Sequence, residues 1–241
     1  MHQIVLDGYS VYRELIDVTG LTDEVRPVTS ISDIRNYITK SKLALGLVYN
    51  RAILSAVRYV LGDHFQLHAS NLIIDYPRAR TGRLTKQWHR DGQAALLPLS
   101  DTKVPVVYVR VGICLSDQTD PRGGQLLVIP GSHQTTWMPE DRFDPTVKAT
   151  AIPMVPGDVV FFVNPLLHAV TENVSQTKRI MLYLCYSYRW VKPMDYRFGA
   201  HGLEGLPPIA QHLMGGQSDP CDDWFATGRS PIADYLDHRS V

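Results

Sequence analysis

Cysteine is scarce in this chain, and the few present do not pair. Cys114, Cys185 and Cys221 form an odd, widely spaced set without a Cys-x-x-Cys, which excludes a disulfide framework or a structural zinc site as the organising device. Cys114 and Cys185 lie in apolar runs and read as buried free thiols. Net charge is lacking as well. Lys and Arg total 24, as do Asp and Glu, and neither sign gathers into a block or tail. Nothing in the charge therefore steers the chain toward nucleic acid or an anionic membrane. No apolar run reaches the roughly 18 to 20 residues of a membrane span. Met1 to Ser10 lack the basic and apolar regions of a signal peptide, so a cytoplasmic protein is expected. The expected partner is a small molecule, with neither nucleic acid nor membrane; the sequence carries no signal for oligomeric state.

What is present is an ordinary globular composition, 241 residues of which 44% are hydrophobic. That is enough for one large domain. The first third reads as helical. Ser32-Asp33 offers an N-cap before Ile34, Tyr37 and Ile38 at helical spacing. Asn50 caps a second helix whose apolar stripe is Ile53, Leu54, Val57, Val60 and Leu61, with Gly62 where it would stop. From Phe65 the texture changes. Apolar runs at 72–76, 106–115, 125–129, 159–163 and 180–188 are punctuated by Pro and Gly. Such a series argues for a β sandwich or barrel. The segment 79–86 reads as a loop, and the tail from Pro193 as irregular with a short closing segment, Pro231 to Leu236.

Chemistry concentrates at Gln87-Trp88-His89-Arg90-Asp91-Gly92. On an extended strand, His89 and Asp91 face one side and Arg90 the other. A third ligand from elsewhere would complete a set of two imidazoles and one carboxylate on one face of an octahedral metal. The opposite positions stay open, as non-haem Fe(II) enzymes that bind a co-substrate and O2 require. Among nine histidines, His168 in Pro165-Leu166-Leu167-His168-Ala169-Val170 is the best candidate. His133 in Pro130-Gly131-Ser132-His133 competes, and His64 and His68 read as structural.

The ordered motifs go further. Gln87-Trp88-His89-Arg90-Asp91-Gly92, then Gly123-Gly124-Gln125-Leu126-Leu127-Val128-Ile129-Pro130-Gly131-Ser132-His133, then Pro156-Gly157-Asp158-Val159-Val160-Phe161-Phe162, then His168 with Arg179, follow one another. From about Leu72 to Trp190 the chain resembles the phytanoyl-CoA dioxygenase-like family of Fe(II)- and 2-oxoglutarate-dependent oxygenases. The resemblance implies a mainly β fold with flanking helices and a double-stranded β-helix (jelly-roll, cupin-like) core. A single oxygenase domain over 1–241 is then expected, with a helical part at 1–64, the core at 65–190 and an irregular segment at 191–241. It also implies that His89, Asp91 and His168 hold Fe(II), and that the His133 motif is a structural turn.

The same resemblance implies Arg179 as the anchor of 2-oxoglutarate, 179 − 168 = 11 positions after the distal His. Arg suits the task because its planar fork binds a carboxylate bidentately. Relatives often carry a small hydroxyl residue two positions after that His. Here the position is Val170, so the second contact comes from elsewhere, with Thr171, Asn71 and Gln87 as candidates. The implied reaction couples O2 and 2-oxoglutarate to oxidation of a substrate C–H bond, hydroxylation first, with release of succinate and CO2. Desaturation, cyclisation or epoxidation are alternatives. A carboxylate at Asp91 disfavours halogenation, for which relatives have a small residue there. Readings of another kind are a jelly-roll metalloenzyme needing no 2-oxoglutarate and a non-catalytic metal-binding or regulatory domain. Arg83, Lys86, Arg90 and Arg122 are candidate cations at the site mouth. Tyr76, Tyr108, Trp137 and Trp190 are candidate pocket aromatics.

Overall fold

The structure is a computed structural model, and it describes residues 2–27, 33–92, 104–195, 202–216 and 229–238. Among the described residues, ten strands form two antiparallel sheets. The larger sheet has the order β1-β8-β5-β10-β3-β2, built from β1 (Tyr9–Tyr12), β8 (Val159–Val163), β5 (Tyr108–Cys114), β10 (Arg179–Tyr188), β3 (Phe65–Asp75) and β2 (Asp33–Arg35). The smaller sheet has the order β4-β9-β6-β7, from β4 (Lys86–His89), β9 (His168–Val170), β6 (Leu126–Val128) and β7 (Thr150–Ile152).

The continuous apolar runs of β8 and β10 have a direct cause. Helix α4 (Arg51–Leu61) packs against β5 and β10 on one face, and the smaller sheet covers the other. Strands buried on both faces need no polar alternation. Every residue of β8 is buried, as are all of β10 up to Ser187. The α4 helix forms as its sequence dictates. The Asn50 side chain accepts from the Ala52 and Ile53 N–H groups, Ile53, Leu54, Val57 and Leu61 make the buried face, and Gly62 ends it. A preceding helix, α3 (Lys42–Val48), is capped by Ser41. Two short helices, α1 (His2–Asp7) and α2 (Thr19–Val25), complete the N-terminal part.

Two parts of the chain differ from the sequence reading. Ser32 lies outside the described residues, and Asp33 is no helix cap. It opens β2, which pairs with β3 and is followed by a single 3-10 turn, Tyr37–Thr39. Tyr9–Tyr12 likewise joins the larger sheet through β8. Strands of three or four residues at a sheet edge are too short to show a period, so pairing partners decide them. Among its described residues, the C-terminal segment contains two helices, α5 (Pro208–Leu213) and α6 (Pro231–Asp237). They bury Ile209, Leu213 and Ile232 in the same core that takes Ile4 and Leu54. Cys114 and Cys185 are buried free thiols, each pushed up to about 12 chiefly by burial, and Cys221 lies outside the described residues. Among the described residues, no helix is long and apolar enough to cross a membrane.

One glycine in the larger sheet bears on the site. Gly112 stands directly opposite Tyr183. A Cβ there would lie 2.8 Å from Tyr183 Cε1 and 2.9 Å from Val160 Cγ1. Its missing side chain is the space in which the Tyr183 ring lies.

Candidate metal centre

The strand pairing sets the site. His89 at the end of β4 is the direct cross-strand partner of His168 at the start of β9, and their ring centroids are 4.1 Å apart. Just past β4, the Asp91 N–H donates to the Asn164 carbonyl at 3.0 Å, which turns the carboxylate toward both rings. Asp91 Oδ1 lies 3.6 Å from His89 Nε2 and 3.9 Å from His168 Nε2. One ligand atom from each of the three residues falls within 4.8 Å of the others.

The hydrogen bonds behind the rings fix their chemistry. His89 Nδ1 meets the Gln87 carbonyl at 2.8 Å and His168 Nδ1 the Leu166 carbonyl at 2.9 Å. A carbonyl only accepts, so each Nδ1 carries the hydrogen and each Nε2 presents a lone pair to the common point. Such support from behind is what metal-ligating histidines require. Burial, with the neighbouring His168, pushes His89 down to about 3. Burial also lowers His168. Both rings are therefore neutral and ready to coordinate. Burial alone would raise the Asp91 carboxyl, but the Arg110 guanidinium beside it holds it well below the usual carboxylate range. Two neutral imidazoles and one carboxylate, poised on one point, fit a divalent metal of the Fe(II) kind.

The triad opens into a cavity of about 390 Å³ between the two sheets. Arg179, at the start of β10, lines it while only 2% exposed. Its Nη2 donates to Tyr183 Oη at 3.2 Å, and its buried Nε has no hydrogen-bond partner. A buried guanidinium with an unmet N–H facing a cavity suits a carboxylate ligand. Gly124 of the Gly-Gly motif explains that motif. It has φ +81°, and a Cβ there would lie 3.2 Å from Arg179 Cδ and 3.3 Å from Asp75 Oδ2. The backbone passes so close to Arg179 that a Cβ would press on its side chain, and the positive φ would add strain for any residue but glycine.

The remaining expected residues fall differently. Asn71 lines the cavity, with its Oδ1 accepting from Arg110 at 3.3 Å and its Nδ2 donating to Asp33 at 3.2 Å. Gln87 contributes its carbonyl to His89, and neither its side chain nor Thr171 is part of the cavity wall. Thr171 instead bonds the Gln125 carbonyl through its N–H, at 3.0 Å. Val170 lines the cavity. His133 sits in the turn Ser132–Gln134 with its Nε2 3.2 Å from the Val5 carbonyl.

Of the four candidate cations only Lys86 lines the cavity. Arg83 stacks on Phe143 and Arg122 pairs with Asp120. Arg90 points away, buried, donating to the carbonyls of Pro165, Ser132, Thr135 and Trp137 at 2.7–3.1 Å. It clamps the Pro-Gly-Ser-His turn to the loop before His168. Arg90→Met is expected to cost about 3 kcal/mol of stability, because several buried carbonyls lose a charged donor at once; chemical denaturation measures it, and a cost under about 1 kcal/mol would refute the clamp. Among the candidate aromatics, Trp190 is 74% exposed and stacked on Tyr188, and Trp137 is 54% exposed. Tyr76 and Tyr108 also stand outside the cavity wall.

Among the cavity residues not singled out from sequence are Arg110, Tyr183 and Asp75. Asp75 is buried, and its carboxyl is raised by burial against the opposing pull of Arg78 and Arg179. It pairs with Arg78. The signal available for Arg110 was a lone charge inside the β-branched run 106–115. His68 lies behind the site, buried and stacked on Tyr108 with centroids 5.6 Å apart. Burial and the Arg110 charge lower its pKa. In the unfolded chain histidine protonates near about 6.5, where folded His68 is still neutral. Protons then favour the unfolded chain, and stability is lost as pH falls below about 6.5. Melting curves between about pH 7 and 5 are expected to fall less steeply for His68→Gln than for wild type; equal slopes would contradict this.

A two-sheet jelly-roll carrying a His-x-Asp pair and a distal His on paired strands of the smaller sheet defines the class of protein, a cupin-like metalloprotein. The sequence profile of the family Phytanoyl-CoA dioxygenase (PhyH) matches residues 24–181, and the chain belongs to that family of Fe(II)- and 2-oxoglutarate-dependent oxygenases. No curated protein matches the sequence. Similar solved structures include HygX from Streptomyces hygroscopicus with iron bound, at 15% identity and TM-score 0.65, covering 81% of this chain and 87% of that one. EctD from S. alaskensis with 2-oxoglutarate and 5-hydroxyectoine is similar at 21% identity and TM-score 0.63, covering 78% and 74%. The 2-oxoglutarate-dependent epimerase SnoN from nogalamycin biosynthesis is similar at 15% and 0.62, covering 91% and 90%. HygX is also known with nickel, 2-oxoglutarate and hygromycin B bound. At these identities the likeness is one of fold.

Proposed function

We propose that the chain is an Fe(II)- and 2-oxoglutarate-dependent oxygenase that oxidises a C–H bond of a small molecule, with hydroxylation as the first expectation. The observation that carries this reading is the convergence of His89 Nε2, Asp91 Oδ1 and His168 Nε2 in the same cavity as a buried Arg179 whose Nε lacks a partner. Fe(II) held there with 2-oxoglutarate would supply the O2-dependent oxidation, with succinate and CO2 as by-products. The protein's own residues bind and orient. Arg179 holds the distal carboxylate of 2-oxoglutarate, and Tyr183 Oη, 3.2 Å from Arg179 Nη2, donates the second hydrogen bond. Tyr183 takes the part that a small hydroxyl at Val170 plays in relatives, in preference to Thr171 or Gln87. Leu126, Phe162 and Val170 supply apolar wall, which keeps water from the reacting centre.

A cavity of about 390 Å³ is of the size that takes a small ligand. The small molecules bound by HygX and EctD support the same substrate class. An epimerase is among the similar structures, so product analysis must separate oxygen insertion from inversion of a stereocentre. The test is succinate formation by purified protein with Fe(II), 2-oxoglutarate and a panel of small molecules, each product then weighed by mass spectrometry. Substrate-dependent succinate with a one-oxygen mass gain is expected. A protein that consumes no 2-oxoglutarate with any substrate, while shown to bind iron, would refute the reading.

A further inference from the structure

Arg110 is the one charged side chain on β5, and it reaches the metal centre from behind. Its Nε donates to Asp91 Oδ2 at 2.8 Å and its Nη1 to Asn71 Oδ1 at 3.3 Å. The guanidinium lies 5.7 Å from the centroid of the Tyr183 ring. The register explains the reach. Arg110 faces Cys185 across β10 and Phe162 across β8, and its side chain crosses β10 to Asn71 on β3. Asn71 is fixed in turn by Asp33 on β2 at 3.2 Å. Burial alone would make this cation less favourable, but Asp91 more than offsets that and keeps it charged.

The two oxygens of Asp91 therefore have different neighbours. Oδ1 faces both Nε2 atoms, at 3.6 and 3.9 Å, while Oδ2 is held by Arg110. A carboxylate can bind a divalent metal through one oxygen or both. We propose that Arg110 is a positioning residue for the metal centre: by tying Oδ2, it restricts Asp91 to one metal bond and keeps a further coordination position open for co-substrate and O2. The fork of a guanidinium is needed because Asp91 and Asn71 are served in two directions at once. The inference rests on the proposed function only for what fills the open position.

Mn(II), which favours octahedral oxygen and nitrogen sites, is a suitable probe. Water-proton relaxation of the Mn(II)-loaded protein counts the waters in open positions. In the wild type three open positions are expected. In Arg110→Met the carboxylate is free to take one of them, and the metal-bound water relaxation is expected to fall by about one third, from three waters to two. Mn(II) affinity is expected to fall about 10- to 100-fold, as for other residues that orient metal ligands, and 2-oxoglutarate affinity at saturating Mn(II) to fall as well. Arg110→Lys keeps the charge without the fork and is expected to show the same change, smaller; it decides the matter if Arg110→Met does not fold. Wild-type water count and wild-type 2-oxoglutarate affinity in the folded variants would overturn the inference. If wild-type Mn(II) protein binds no 2-oxoglutarate, the proposed function fails, yet the water count still tests Arg110.

Discussion

A His168→Ala protein is expected to fold and to bind no metal at concentrations that saturate the wild type. The expectation follows from where His168 sits. It is buried, its Nδ1 is satisfied by the Leu166 carbonyl, and its Nε2 points at Asp91 Oδ1. Removing it leaves one imidazole and one carboxylate, too few to hold a labile divalent ion against water. The fold should persist, because β9 is held by its backbone pairing with β4 and β6. The stability change is expected to stay within about 2 kcal/mol. Calorimetric titration with Fe(II) under argon, alongside a thermal melt, separates the two effects. Wild-type affinity in a folded His168→Ala protein would remove His168 from the ligand set.

The second large effect is expected at Arg179. Arg179→Leu should weaken 2-oxoglutarate binding to the metal-loaded protein on the order of 100-fold, since truncating one side of a buried charge pair costs several kcal/mol. Metal affinity should be unchanged, because none of the three ligands touches Arg179. Tyr183→Phe removes one neutral donor to a charged group, and a loss of about 10-fold is expected. The order of the two effects is informative. A larger loss from Tyr183→Phe than from Arg179→Leu would mean that the carboxylate sits elsewhere in the cavity. Titration of 2-oxoglutarate into metal-loaded protein reads both variants.

The parts of this site that could be read in the sequence are those written in local spacing. His89 and Asp91 are two positions apart, and the Gly-Asp turn, His168 and Arg179 follow in order. The Pro-Gly-Asp turn is local in part: buried Asp158 accepts from the Val155 N–H within the turn, and its other partners, the Glu14 N–H and Arg13, come from the far N-terminal part of the chain. The long strands and the Asn50-capped helix also carried their own signals. Arg110, Tyr183 and Asp75 did not, because their meaning lies in cross-strand register. Tyr183 matters because it stands between Asn71 and Gly112, which lie 183 − 71 = 112 and 183 − 112 = 71 positions before it in the chain.

 Those partners are distant in sequence and meet only when β3, β10 and β5 pair. Thr171 read as a candidate contact because it follows the distal His closely, but the pleat of β9 turns Val170 to the cavity and leaves Thr171 on the Gln125 carbonyl. The edge strands β1 and β2 leave no mark in a first third that reads as helical, because three or four residues carry no period of their own and the sheet they join is built from residues far along the chain.

The most direct measurement is optical. Protein prepared without oxygen is loaded with Fe(II), iron binding is verified, and 2-oxoglutarate is added while the visible spectrum is recorded. A weak metal-to-ligand charge-transfer band is expected in the wild type, absent in His89→Ala and displaced to much higher 2-oxoglutarate concentration in Arg179→Leu. Iron-loaded wild-type protein that shows no such band at any 2-oxoglutarate concentration would contradict the assignment of His89, Asp91, His168 and Arg179 to one Fe(II)- and 2-oxoglutarate-binding site.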